Sequence, residues 1–161
     1  MTKALYGGSF DPITNGHVNM IERASDLFEE VVVAVSGNAS KTYMFDLDQR
    51  IALVKESVKH LPNVLVAKHT EGLLVSFAKD KSAKVLIRGI RNGLDIDLEE
   101  MMADMNRHLD PDLDTLFLLA KPTVRFISSS LVKEVSELDG DIRELVPTCV
   151  LEALNDRKRG H

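Results

Sequence analysis

The chain has 161 residues, of which 44% are hydrophobic and 28% charged, and carries a net charge of −5 at pH 7. That length suits one folded domain spanning residues 1–161 with a substantial core, and that balance excludes a disordered chain. No apolar stretch approaches the about 18 residues that cross a bilayer, no charged-then-apolar leader opens the chain, and the acidic balance argues against nucleic acid as the main partner, so a cytoplasmic protein is expected.

The first apolar run, Ala4-Leu5-Tyr6, predicts a strand, and Val18, Ile21, Ala24 and Phe28 recur behind it at helical spacing. The stretch between them, Gly7-Gly8-Ser9-Phe10-Asp11-Pro12-Ile13-Thr14-Asn15-Gly16-His17, is then a strand-to-helix loop. Two glycines let backbone come close to a ligand, Asp11-Pro12 turns the chain, and Asn15 or Thr14 caps the helix with Gly16-His17 in its first turn. Free N–H groups and the positive end of the helix dipole favour an anion there, so the loop predicts a phosphate site. It is neither a P-loop nor the Gly-x-Gly-x-x-Gly fingerprint. A plainer role competes for His17, namely a hydrogen bond to its own chain that finishes the helix turn.

The run Val31-Val32-Val33-Ala34-Val35 predicts a strand covered on both faces, followed by a polar loop from Ser36 to Lys41. A helix marked by Leu47, Ile51, Val54, Val58 and Leu61 opens on a capping box of Asp46 and Gln49 and ends at Pro62-Asn63. Val64 to Ala67 is a third strand, Gly72 to Lys79 a third helix, and Val85-Leu86-Ile87 a fourth strand that delivers Arg88-Gly89-Ile90-Arg91 at its carboxyl end. A helix from about Asp95 to Leu109 follows, then a fifth strand from Thr115 to Ala120. Ile127-Ser128-Ser129-Ser130 opens a helix that runs to Gly140 as its C-cap, and Pro147 starts the last helix, with Arg157 to His161 as a frayed tail. The lone Cys149 reads as a small buried hydrophobe and fits a reducing compartment.

Strand and helix alternate throughout, which predicts a doubly wound, five-stranded parallel α/β sheet of Rossmann type. Right-handed crossovers place the loops after the strands on one edge, and Ser9, His17, Lys41, Arg88, Arg91 and Ser128 to Ser130 all fall there. No nucleophile–base pair stands out among them. Phosphoryl and nucleotidyl transfer need little covalent help from protein, so a cationic nest at two helix starts matches that chemistry.

Thr14-Asn15-Gly16-His17 resembles the Thr/His-x-Gly-His element of the nucleotidyltransferase superfamily. With Gly8 to Pro12, Ser40-Lys41, Leu86 to Arg91, Met105 to Leu109 and Phe126 to Glu134, nearly the whole chain is similar to the bacterial phosphopantetheine adenylyltransferases. The resemblance implies transfer of AMP from ATP to 4′-phosphopantetheine, giving dephospho-coenzyme A and pyrophosphate, in a homo-oligomer that in this family is a hexamer. It implies that His17 contacts the ATP phosphates and stabilises the transition state, with Ser9 and Phe10 at the loop. Lys41 and Arg88 would hold the acceptor's phosphate as catalytic cations, with Ser9 and Leu74 completing that pocket. Gly89, Ile90, Arg91 and Glu99 would bind the nucleotide, and Val124, Arg125, Phe126, Ile127, Ser128, Ser129 and Ser130 would wrap the adenine and phosphates. Magnesium would arrive with ATP, held by phosphate oxygens and water rather than by a protein cage. Two departures stand out: Gly7 replaces a frequent proline, and Asp95-Ile96-Asp97-Leu98-Glu99 lacks the aromatics common before the glutamate.

Weighed singly, other residues read more plainly. His60, His69, His108 and His161 show no metal-ligand spacing, and Asp95, Asp97, Glu99 and Glu100 look like a solvated helix face. Met101, Met102 and Met105 read as core filler or as a subunit contact. Two other functions fit the same residues: nucleotidyl transfer to another phosphorylated acceptor such as nicotinate mononucleotide, and a non-catalytic nucleotide or coenzyme A sensor.

Overall fold

In a computed structural model that describes residues 2–160, strands β1 (Lys3–Gly8), β2 (Glu30–Ser36), β3 (Val64–His69), β4 (Val85–Ile90) and β5 (Asp114–Leu119) form one parallel sheet in the order β3-β2-β1-β4-β5. Helices α1 (Asn15–Leu27), α2 (Leu47–Val58), α3 (Leu74–Asp80), α4 (Gly93–Leu109), α5 (Ser129–Glu137) and α6 (Thr148–Arg159) cover its faces. This is the doubly wound sheet that the alternation predicts. The histidine at position 161 lies outside the described residues.

Alternation along the central strands sorts side chains between the two faces. Ala4, Tyr6, Val31, Val33 and Val35 join the larger core with Ile21, Val54, Val132 and Val150, while Leu5, Val32, Ala34 and Leu86 pack with Val75 and Ala78 of α3 on the other face. Leu5 stands in register with Val32 on one side and Leu86 on the other, so β1 is the buried centre of the sheet. Strand order reverses between β1 and β4, and their carboxyl ends splay into a crevice there.

Caps explain where several helices begin. Thr14, not Asn15, caps α1: its hydroxyl accepts from the His17 N–H, and the His17 side chain accepts from the Thr14 N–H, a capping box with histidine at its third position. Asp46 and Gln49 form the expected box at α2. Asn92 caps α4 through the N–H groups of Leu94 and Asp95, so this helix starts at Gly93 rather than near Asp95. Ser128 caps α5, which therefore starts at Ser129 and leaves Ile127 buried outside it. Gly72, with φ of 79°, stands outside α3, which starts at Leu74.

Gly140 is not the residue that caps α5. Leu138 is the cap, Asp139 takes the left-handed conformation at φ 60°, and the N–H groups of Asp139 and Gly140 donate to Ser136 O and Val135 O at 3.1 and 2.8 Å. That is a Schellman arrangement shifted by one residue from the sequence expectation. Glycine follows because a Cβ at position 140 would collide with Val135 Cγ1. The tail is more ordered than expected too, since α6 continues through Arg157 to Arg159. Cys149 is half-buried on α6, its Sγ 3.4 Å from Ser57 Oγ.

One helix breaks the pattern of burial. None of the 17 residues of α4 is buried, and Leu98, Met101, Met102, Met105 and Leu109 stand exposed at spacings that share one face. The methionines are therefore not core filler. No helix among the described residues is long and apolar enough to cross a membrane.

Candidate active site

A cavity of about 350 Å³ opens where β1 and β4 diverge. Gly7 and Gly8 of β1 and Gly89 of β4 form a floor without side chains. A Cβ on Gly89 would come within 3.2 Å of Met20, and one on Gly8 within 3.2 Å of the Phe10 ring, so larger residues would fill the crevice or displace its walls.

His17 stands on one wall. Its Nδ1 accepts from the Thr14 N–H at 3.0 Å, which requires that nitrogen to be unprotonated and leaves the proton on Nε2. Phe10, 2% exposed and at φ 48°, sets its ring edge-on to the imidazole with centroids 5.0 Å apart. Burial, and then the positive charge of Arg91, push the His17 pKa down to about 4. The ring is a neutral donor at physiological pH. The plain role weighed for His17 and the phosphate role are thus both open to one side chain, because the bond to its own chain orients the other ring nitrogen.

Two helix starts meet at this wall. A Cβ on Gly16 of α1 would lie 3.5 Å from Val124 O and 3.6 Å from Ile127 O, so the turn leading into α5 rests against the first turn of α1. Ser129 Oγ donates to Pro12 O at 2.8 Å and pins the two starts together. The N–H groups of Gly16, Ser129 and Ser130 have no protein acceptor among the described residues. They are the unsatisfied donors that a helix start offers to an anion.

Cations occupy the opposite wall, but they are not bare. Arg88 donates to both carboxylate oxygens of Glu99 at 2.8 Å, and Arg91 lies 3.6 Å from Asp95, whose carboxylate also accepts from the Arg91 N–H. Glu99, with its side chain 15% exposed, is therefore not part of a solvated face. Asp95 and Glu99, four residues apart on α4, both line the cavity, whereas Asp97 and Glu100 are exposed. The hydrogen bond with Glu99 raises the Arg88 pKa further, so the guanidinium stays charged.

Of the residues expected at the site, His17, Arg88, Gly89, Arg91, Glu99, Val124, Ile127, Ser128 and Ser129 line this one cavity. Ile90 is buried behind it, while Arg125, Phe126 and Ser130 face solvent. Ser9 is turned to the side, its carbonyl bound by Arg50, and Leu74 touches Gly7 at the cavity's outer margin. Lys41 is exposed on the loop between β2 and α2 and is not part of the lining, so the expected closure of all three cations on one pocket is not present in this conformation.

Sequence reasoning passed over Tyr6, Asp11, Arg50 and Lys133. Tyr6 lines the cavity, and burial pushes its phenol up to about 12 against the opposing charges of Arg88 and Arg91. Asp11 of the Gly7–His17 signature loop, with Arg50 and Lys133 behind that loop, joins distant parts of the chain; an aspartate and an arginine this deeply buried stand out only once the structure is known. No group of three or more His, Cys, Asp or Glu suited to a metal occurs among the described residues.

Known proteins resemble this chain over nearly its whole length. The profile of the cytidylyltransferase-like family matches residues 5–135. A phosphopantetheine adenylyltransferase from Levilactobacillus brevis is 46% identical over 160 residues, covering 99% of both chains, and one from Proteus mirabilis is 46% identical over 152 residues, covering 94% of each. Among solved structures, a candidate nicotinate-nucleotide adenylyltransferase from Vibrio parahaemolyticus superposes with a TM-score of 0.72 at 21% identity, over 97% of this chain and 93% of that one. A lipopolysaccharide core biosynthesis protein from Thermoplasma volcanium does so with a TM-score of 0.57 at 20% identity, over 75% of this chain and 97% of its own. Those two likenesses establish the fold, while near-full-length identity of 46% reaches further. The chain belongs to the phosphopantetheine adenylyltransferase family of cytidylyltransferase-like nucleotidyltransferases.

Proposed function

We propose that this protein transfers AMP from ATP to 4′-phosphopantetheine, releasing pyrophosphate and forming dephospho-coenzyme A. The observation that carries the reading is the meeting of two helix starts with a neutral, oriented His17 over a glycine floor. A phosphate oxygen of phosphopantetheine attacks the α-phosphorus of ATP as the bond to the bridging oxygen breaks, and pyrophosphate leaves with that electron pair. The attacking group is already an anion, so no general base is needed, in keeping with the absence of a nucleophile–base pair.

The chain's residues then position and neutralise. The free N–H groups of Gly16, Ser129 and Ser130 receive phosphate oxygens of ATP, and His17 Nε2–H donates to an oxygen on the α-phosphorus, where charge grows in the transition state. Arg88 and Arg91 exchange part of their bonding to Glu99 and Asp95 for phosphate oxygens, and Lys41 reaches the acceptor's phosphate from its loop together with Arg88. Magnesium enters with ATP: Asp95 and Glu99 are committed to arginines, which suits an ion held by phosphate oxygens and water, and its charge offsets that of the phosphates.

The exposed apolar face of α4 supports a homo-oligomer, a hexamer by analogy with the family, and the free Cys149 suits the cytoplasm. Pyrophosphate release is measured with ATP, magnesium and one acceptor at a time. Release with phosphopantetheine and not with nicotinate mononucleotide is the expected result. Release only with the latter would reassign the acceptor, and ATP binding without release for either would make the protein a sensor.

A further inference from the structure

Behind the signature loop, charged side chains grip the segment that carries Lys41. Asp11, 5% exposed, accepts from the N–H groups of Met44 at 2.8 Å and Phe45 at 2.9 Å, and Lys133 of α5 approaches the same carboxylate at 3.5 Å. Arg50 of α2, 1% exposed, donates from Nη1 to Ser9 O at 2.8 Å and Ser36 O at 2.7 Å, and from Nε to Phe45 O at 3.0 Å. Its guanidinium lies 3.9 Å from the centre of the Tyr43 ring. The Tyr43 hydroxyl accepts from the Asn38 N–H at 3.1 Å, and the Lys41 N–H donates to Asn38 O at 3.0 Å.

The loop from Ser36 to Phe45 is thus fastened at its two ends and in its middle. Phe45 is held through both backbone groups, by Asp11 on its N–H and by Arg50 on its carbonyl. Among the described residues Arg50 bonds to three carbonyl oxygens and to no carboxylate, so its charge is buried against peptide dipoles and the face of the Tyr43 ring. Burying a full charge is costly, and these bonds recover that cost only in this one backbone arrangement. The same guanidinium holds Ser9 of the signature loop and Ser36 at the exit of β2, and therefore sets the spacing between the cavity and the Lys41 loop.

We propose that Asp11 and Arg50 are positioning residues that place Lys41 for the phosphate of the acceptor, with Lys133 linking this grip to the start of α5. The inference rests on the functional reading above. Most of the expected ATP contacts lie at the starts of α1 and α5 and at the end of β4, which keep their own caps and ion pairs when the grip is loosened; Ser9 and Phe10 alone border the grip, and among the described residues the Lys41 backbone is bonded only within its own loop.

The test measures Asp11→Asn, which keeps the side chain's shape but sets an amide donor against a backbone N–H, alone and combined with Lys41→Ala. Loss of a hydrogen bond to a buried charge predicts a rise of about tenfold in KM for phosphopantetheine, with KM for ATP within about twofold, and amide exchange of residues 38–45 faster by about tenfold. In the Lys41→Ala background the same substitution should change KM for the acceptor by less than about twofold. Should Asp11→Asn fail to fold, Tyr43→Phe keeps the ring under Arg50 and removes only the acceptor for Asn38; it predicts a shift of about threefold in the same direction. Equal losses for both substrates, unchanged loop exchange, or a full effect that persists without Lys41 would each overturn the inference while the wild type still turns over phosphopantetheine. A wild-type chain that does not turn it over would overturn the functional reading, and this inference with it.

Discussion

At the level of single residues, His17 shows how one histidine serves fold and chemistry together. As the third residue of α1 it closes a capping box, a position usually held by Glu or Gln, and that bond fixes which ring nitrogen carries the proton. Its depressed pKa also ties stability to pH. With a native pKa of about 4 against 6.5 in the unfolded chain, the unfolded state takes up the proton first, so the group's contribution is whole above about pH 6.5 and is lost as pH falls through 4. Its slope is at most about 1.4 kcal/mol per pH unit. His17→Gln retains a capping acceptor without titrating, so urea unfolding from pH 7 to pH 4.5 should lose stability more steeply for the wild type than for the variant. Parallel curves would place the native pKa near its ordinary value.

Arg88 and Glu99 form the other residue-level unit. Removing either alone leaves a charge without its partner; after allowance for an Arg88 side chain that is 37% exposed, each single change to Ala should cost about 1 kcal/mol in chemical denaturation. The double change should cost less than the sum of the two, and strict additivity would show that the pair contributes nothing. His17, Arg88 and the serines were legible in the sequence because their surroundings are local: a strand end, a loop and a helix start. Asp11 and Arg50 were not, since each holds a backbone group far along the chain, Asp11 the N–H of Met44 and Arg50 the carbonyl of Ser9, and no local pattern marks such pairs.

At the level of elements, boundaries that depend on a single cap were the hard ones. Asn92 draws α4 back to Gly93, and Asp139 rather than Gly140 takes the left-handed turn after α5. Apolar spacing finds a helix, but whether glycine at its end supplies conformational freedom or empty space depends on the neighbour that meets it. Here it is empty space, because Val135 fills the volume of the missing Cβ. Gly140→Ala should therefore destabilise by about 1–3 kcal/mol as overpacking, and Val135→Ala in the same chain should recover part of that loss. Thermal unfolding of the two variants checks it, and a neutral Gly140→Ala would mean that the end of α5 shifts freely.

For the whole molecule, the doubly wound parallel sheet was readable because apolar strand runs alternate with helical spacing, whereas the order β3-β2-β1-β4-β5, which opens the crevice between β1 and β4, came only with the structure. The state of α4 was not readable, since methionine suits a core and an interface equally. With Leu98, Met101, Met102 and Met105 all exposed, replacing Met101 and Met105 by Asp should leave the isolated fold intact and lower the sedimentation coefficient of any assembly. An unchanged sedimentation profile would remove this face from the contact.

In the proposed reaction the transferring phosphorus faces His17, and what that side chain does there decides whether the reading holds. The most direct measurement compares the single-turnover rate and the ATP dissociation constant of the wild type with those of His17→Ala. A donor whose bond tightens only as charge develops predicts a rate lower by about 10²–10³ with ATP affinity changed by less than about fivefold. Equal losses in rate and in ATP affinity would contradict it.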